Sequence, residues 1–369
     1  MEGGLMKDHL FSRRSALSAG VATTLAPGLL AQPARADAAR PQQRDAALIG
    51  LFGAMPPRPR PQFTVIETID IEGGQRLKIE YLAEAAYPPL GEPEDRVRAY
   101  LLVPTHRTGQ RLPAILAFHQ DGPQYNIGKA EPVGLAGAAN LFYGLDLFRR
   151  GYVVLCPDRF YHAERRRGVD PAAPADNARD GKLYDHRVGQ LLLRGRNSIG
   201  KEVFDAMVAT DLLASLPYVD PARIGGIGHS AGGMAMVHWM ARDRRAKAGI
   251  SSCGLFEMLN FYREDAIKRR SASIALPGLA ALGRSADYLA MIAPRSVLLT
   301  RGRWEWGTKD EWRAASLRHV AETEDMVAHA RARGSGKSLE AIYFDEAGGN
   351  HDFPPGVREQ AYAWLKTRL

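Results

Sequence analysis

Two cysteines in 369 residues are too few to staple a fold, and no repeat of 20–50 residues runs along the chain, so disulfide scaffolds and solenoids are excluded. Long hydrophobic runs are missing too. Past the N-terminus no stretch approaches the roughly 20 apolar residues that cross a bilayer, which argues against stable membrane insertion. Acidic residues are in the minority, 41 against 49 Lys and Arg, and the formal charge of +8 raises the question of an anionic partner. What is present is globular in character: 45% hydrophobic residues, and enough length to bury a large core without metals or disulfides.

Lys7, the pair Arg13-Arg14, a weakly apolar run over 16–31 and the small-residue site Ala34-Arg35-Ala36 stand in the order of an export signal of the twin-arginine type. Pro27 interrupts the run, which is too short to serve as an anchor. The expectation is a signal peptide over 1–36 and a mature protein that works in the periplasm or outside the cell. Over 37–62 Pro, Ala and Arg dominate without periodicity, which predicts a linker or a loosely wrapped arm.

Segments 65–71 and 77–82 alternate around Gly73-Gly74 and 97–103 adds a third strand, an antiparallel extension. Then the pattern changes. Short continuous apolar runs at 114–119, 152–157, 223–228, 248–252, 296–300 and 341–345 are separated by helix-sized segments, among them 201–216, 232–242, 310–333 and 357–369. Strands buried on both faces and alternating with helices predict an α/β fold, a mostly parallel doubly wound sheet in one domain over 63–369. An irregular insertion at about 159–200 interrupts it. Between Arg149 and Lys201 twelve Lys or Arg face six Asp or Glu, so most of the basic excess sits in this one stretch.

Gly228-His229-Ser230-Ala231-Gly232 follows an apolar strand and precedes a helix, the setting a nucleophile elbow requires. A serine on so sharp a turn needs glycine two residues to either side for close approach. Its base and acid should follow in the order acid, then histidine. His351, between the last strand and the terminal helix, is the candidate base. Glu305, after the strand at 296–300, is the candidate acid, with Asp310 and then Glu257 as alternatives. The Ala231 N–H and the Gln120 N–H, or failing that the Asp121 N–H, are the candidate oxyanion donors. His119, Asp121, Arg165 and Trp304 are candidate substrate contacts. No metal or organic cofactor is needed. Gly226-x-Gly228-x-x-Ala231 mimics a dinucleotide fingerprint, but the elbow accounts for its central serine, and no nucleic-acid motif stands out. Cys156 and Cys253 should follow core strands too far apart for a disulfide.

Together these residues resemble the dienelactone-hydrolase-like and acetyl-xylan-esterase-like serine hydrolases of the α/β-hydrolase superfamily, from about residue 97 to the C-terminus. Gly151-Tyr-Val-Val-Leu-Cys-Pro-Asp158, Val219-Asp-Pro-Ala-Arg-Ile224 and Ile292-Ala-Pro-Arg295 extend the match. The resemblance implies an α/β-hydrolase fold and ester cleavage through an acyl-enzyme, on a small-molecule or carbohydrate ester. Dienelactone hydrolases proper carry cysteine at the elbow, so Ser230 favours the carbohydrate-esterase kind; most relatives carry Asp where Glu305 stands. A non-catalytic binding protein on the same scaffold is the alternative. A serine peptidase is disfavoured, because the long N-terminal propeller of such peptidases is not seen in these residues. The arginines of the insertion, Arg165, Arg166, Arg167, Arg179, Arg187, Arg194 and Arg196, allow two readings, a solvated basic loop or a surface that favours an anionic or uronate-bearing ester.

Overall fold

A computed structural model describes residues 41–121, 125–264, 271–345 and 351–369. The export signal expected over 1–36 lies outside the described residues. The strands are β1 (Phe63–Ile71), β2 (Gly74–Glu84), β3 (Asp95–Pro104), β4 (Leu112–Phe118), β5 (Val153–Pro157), β6 (Val219–His229), β7 (Ala246–Ser252), β8 (Ser296–Gly302) and β9 (Leu339–Phe344). They form one sheet in the order β1-β2-β3-β5-β4-β6-β7-β8-β9. The pairs from β1 through β3 to β5 are antiparallel and all later pairs are parallel, as the change in patterning after 103 predicts. The helices are α1 (Pro41–Gly50), α2 (Tyr143–Arg149), α3 (Asn177–Leu193), α4 (Ser198–Ser215), α5 (Ala231–Arg242), α6 (Leu279–Leu282), α7 (Ser285–Met291), α8 (Asp310–Ala330) and α9 (Pro355–Lys366).

Strand β4 shows why the central strands carry no alternation. Its Ala114, Leu116 and Phe118 pack into a core with Phe204 of α4 and Trp239 of α5, while Ile115 and Ala117 join Leu147 of α2 and Leu365 of α9 on the other face. Both faces are dry, so both sets of positions are apolar. Cys156 of β5 and Cys253 after β7 are separated by β4 and β6, and no disulfide joins them.

Two segments differ from expectation. Part of the stretch read as linker or arm is α1, and Leu48 and Phe52 at its end are fully buried. The Tyr288 hydroxyl donates to the Leu48 carbonyl at 2.7 Å, and its ring stacks on Phe52 with centroids 5.2 Å apart. Gly200 makes room for this docking: a Cβ there would sit 1.7 Å from the Phe52 carbonyl oxygen. One short helix held by two anchors has no repeating stripe for periodicity to detect.

The insertion, expected to be irregular, contains the 17-residue helix α3, capped by the Asp176 carboxylate on the Ala178 and Arg179 N–H groups. Its arginines are spent internally. Arg165 meets Asp95 at 2.6 Å and Asp205 at 2.8 Å, Arg166 meets Asp180 at 3.2 Å, and Arg196 meets Glu84 at 2.7 Å. Arg194 pairs with Glu92 at 2.7 Å and with Glu84. Glu84, Glu92, Asp95 and Asp205 lie outside the stretch whose charges were counted, so the basic excess fastens the insertion to β2, β3 and α4.

Candidate active site

Ser230 stands between β6 and α5 with φ 53° and ψ −126°, a conformation that costs of order 1–3 kcal/mol and persists only where the surroundings enforce it. The two glycines make it possible. A Cβ on Gly228 would lie 2.3 Å from the Gly232 backbone, and one on Gly232 would lie 2.2 Å from the Phe118 carbonyl oxygen. The Ser230 N–H donates to the Ser252 carbonyl at 2.8 Å, which ties the turn to β7. Ala231 opens α5, so its N–H is one of those a helix leaves without an internal partner.

His351 Nε2 lies 2.9 Å from Ser230 Oγ, and its Nδ1 lies 2.5 Å from Oε1 of Glu305. The imidazole is partly exposed and the carboxylate is buried. Burial alone would raise the Glu305 pKa, but Arg301, with His319 and His351, outweighs it and holds this carboxyl well below its usual range. Arg301 Nη1 donates to Oε2 of Glu305 at 2.5 Å, and its other terminal nitrogen donates to the Leu255 carbonyl. His319 Nε2 is 2.6 Å from the same Arg301 nitrogen and 3.3 Å from Glu305 Oε2. Beside His351, Asp352 accepts from Asn140 Nδ2 at 2.6 Å, and Phe353 is fully buried, so the base hangs from an anchored segment.

The alternative acids fare differently. Glu257 accepts from the Ser285 N–H at 3.1 Å and from Arg284 Nε at 2.8 Å, and it caps α7 instead of facing His351. The side chain of Asp310 lies outside the described residues. Cys253, Glu305 and His351 each present one possible metal-ligand atom within 4.8 Å of the others, but this trio is the relay itself, and no other such cluster occurs among the described residues.

Ser230, His351 and Glu305 border a cavity of about 570 Å³, which Ala231, Gln120 and Asp121 also line. Three of the four candidate substrate contacts are elsewhere. His119 is fully buried, its Nε2 accepting from the Arg159 N–H at 2.9 Å, so it shapes the wall from behind. Arg165 is buried between Asp95 and Asp205 and does not line the cavity, because carboxylates inside the fold claim it. Trp304 lies beneath the Arg313 guanidinium, 4.8 Å away, and Trp306 lines the cavity in its place. Asp121 alone of the four reaches the cavity.

The sequence profile of the prolyl oligopeptidase family matches residues 190–275, which span the elbow. The Bacillus subtilis protein YtaP, whose name assigns it to the hydrolases, is 29% identical over 255 residues, 69% of this chain and 77% of its own. A Bacteroides fragilis structure named for acetyl xylan esterase activity superposes over 89% of this chain and 87% of its own, at 18% identity and a TM-score of 0.64. A glucuronoyl esterase from Teredinibacter turnerae covers 89% and 84%, at 15% identity and a TM-score of 0.55. The fold is that of the α/β-hydrolases. With the elbow and its partners, the comparisons support a serine hydrolase.

Sequence reasoning overlooked several residues of this site. From sequence, Arg301 could be read only as the solvated ion-pair partner of Glu305, whereas the pair is buried; His319 carries no motif, and its role exists because it reaches Arg301 from α8. Arg159 was legible in principle, since it directly follows Asp158 at the carboxyl end of a core strand, where ligands of such sheets gather. Its guanidinium donates to Asp121 at 2.8 Å and to Glu202 at 2.6 Å along the cavity wall.

Proposed function

We propose that the protein is an exported serine hydrolase that cleaves carboxylic esters through an acyl-enzyme, with acylated carbohydrate of the acetyl xylan type as its substrate class. The relay Glu305–His351–Ser230 lining the cavity carries this reading. Export rests on the N-terminal sequence; among the described residues no helix is long and apolar enough to cross a membrane.

Glu305 accepts the Nδ1–H of His351 and fixes the tautomer that leaves Nε2 free to take the Ser230 proton. Ser230 Oγ attacks the ester carbonyl carbon, and the Ala231 and Gln120 N–H groups receive the oxyanion, each such donor being worth about 3 kcal/mol. The intermediate collapses, the C–O bond to the alcohol breaks, and the proton on His351 passes to the departing oxygen. Water then enters, gives a proton to His351 as its oxygen bonds to the acyl carbon, and the acyl–Oγ bond breaks, the proton on His351 returning to Ser230 Oγ as the acid leaves.

A fluorophosphonate probe should label Ser230, 4-nitrophenyl acetate should be hydrolysed, and Ser230→Ala should lose both while unfolding as the wild type does. An unlabelled wild-type protein would favour the alternative, a binding protein with a vestigial site. The profile match over 190–275 favours a second reading, a serine peptidase. Faster cleavage of peptide amides than of matched esters would establish it.

A further inference from the structure

The strand order divides the cavity into two chemically different halves. Ser230 follows β6; β4 and β5 lie to one side of that strand, β7 and β8 to the other. From the β4 and β5 loops come Asp121, Arg159 and His162, joined by Glu202 of α4. From the segments after β7 and β8 come Phe256, Met258, Phe261 and Trp306, beside Glu305, whose carboxylate is taken up by Arg301 and His351. The nucleophile sits at the seam between a charged wall and an apolar one.

Arg159 is the one Lys or Arg among the described residues lining the cavity, and two carboxylates hold it. Asp185 of α3 adds a further carboxylate to the lining, so acid outnumbers base there. None of the other arginines of the insertion reaches this wall. His162 is 97% buried; its Nδ1 lies 3.0 Å from the Phe160 carbonyl, and its Nε2 has no hydrogen-bond partner, the nearest acid being Asp121 at 3.4 Å. Arg159 is also buried and keeps Nε without a partner. Asp121 remains nearly half exposed in spite of its ion pair, so it offers acceptor capacity to whatever enters.

We propose that the wall formed by Asp121, Arg159, His162 and Glu202 is a subsite for a neutral, hydroxyl-rich moiety of the ester, a pyranose ring for example, and that it rejects an anionic one. The proposal rests on the esterase reading of Ser230. Carboxylates accept hydrogen bonds from hydroxyl groups, whereas a ligand carboxylate would meet like charge with no unshared cation to offset it. The two acids are unlike. Asp121 is only about half buried, and Arg159 with His162 outweighs the effect of that burial and holds it far below the usual range; at the more deeply buried Glu202 burial, with Asp121 adding to it, prevails over Arg159 and the pKa is raised. Glu202 is thus the weaker acid and the one better suited to share a proton with a sugar oxygen. The subsite runs against the uronate reading of the insertion's arginines.

The test compares kcat/KM for acetylated methyl glucoside and acetylated methyl glucuronoside, which differ only in a hydroxymethyl against a carboxylate. For the wild type at low salt the neutral ester should be favoured on the order of tenfold, equivalent to about 1.4 kcal/mol of charge repulsion, with the gap narrowing as salt screens it. Glu202→Ala and Asp121→Asn should each reduce the preference to about threefold or less, and the wild-type salt series keeps the idea falsifiable if neither variant folds. Equal rates, a faster anionic ester, or an undiminished preference in both variants would overturn the subsite. If 4-nitrophenyl acetate is cleaved but the pair is not distinguished, the subsite alone fails. If no ester is cleaved and Ser230 is not labelled, both readings fall.

Discussion

Arg301 Nη1 stands 2.5 Å from Oε2 of Glu305, the oxygen turned away from His351. The acid of the proposed relay therefore divides its charge between a buried guanidinium and the imidazole. A carboxylate shared in this way stays ionised into acid solution, because Arg301 counters the cost of burying it. It also gives His351 less of its charge than an unshared carboxylate would.

Replacing Arg301 by Gln removes the largest influence that lowers the Glu305 pKa. That carboxyl then protonates at higher pH, and the relay fails sooner on acidification. The acid limb of kcat/KM should therefore move to higher pH. An unmoved acid limb, in a variant that still folds, would mean that Arg301 serves only the Leu255 loop. Breaking a buried pair also costs about 3–5 kcal/mol, so thermal unfolding should be read alongside.

Glu305 and Glu257 were rivals for the acid, and the geometry separates them experimentally. Glu305→Gln presents an amide that cannot hold the productive tautomer, and kcat should drop by roughly three to four orders of magnitude. Glu257→Gln disturbs the cap of α7, with a cost of about 1 kcal/mol in stability and kcat within a fewfold of wild type. A reversed pattern in steady-state kinetics with 4-nitrophenyl acetate would reassign the acid.

The elbow and the order of its partners were legible because they depend on local chemistry: glycines at 228 and 232, and residues just past apolar strands. The sheet was legible for the same reason, its strands being short dry runs between helices. What stayed hidden depends on long-range pairing. The count of Lys and Arg between 149 and 201 stands, but Glu84, Glu92 and Asp95, which pair with several of the arginines, lie more than fifty residues upstream. Composition measures charge, and only the fold says where each charge is neutralised. Helix α3 escaped because Gly181 and Gly189 and its many polar residues dilute the apolar stripe; of its residues, Asp180, Val188 and Leu191 are buried.

Arg165 follows from that lesson. Its guanidinium, in contact with Asp95, Asp205 and the Asp158 carbonyl, lies in the fabric of the fold. Arg165→Met should leave two buried carboxylates short of a partner and cost about 3–5 kcal/mol in a urea titration. The KM of the surviving folded protein for an uncharged ester should stay within twofold of wild type. A large rise in KM without loss of stability would restore Arg165 to the substrate.

His238 gives the anchored N-terminal helix a pH dependence. Its ring packs edge-on against Phe52 and Tyr288, its Nδ1 lacks a partner, and burial lowers its pKa from 6.5 to about 4. The folded state therefore keeps His238 neutral where the unfolded chain would take up a proton. Above about pH 6.5 neither state is protonated here and stability is unaffected; as pH falls from there towards 4 the unfolded state gains protons first, and stability drops by about 2–3 kcal/mol. His238→Leu removes this proton uptake. The difference in unfolding free energy between pH 7.5 and pH 4.5 should shrink by about that amount in the variant. Limited proteolysis at pH 4.5 should cut the wild type near residues 41–53 before the variant; identical pH profiles of stability would show that the buried imidazole is protonated in the fold as readily as in the unfolded chain.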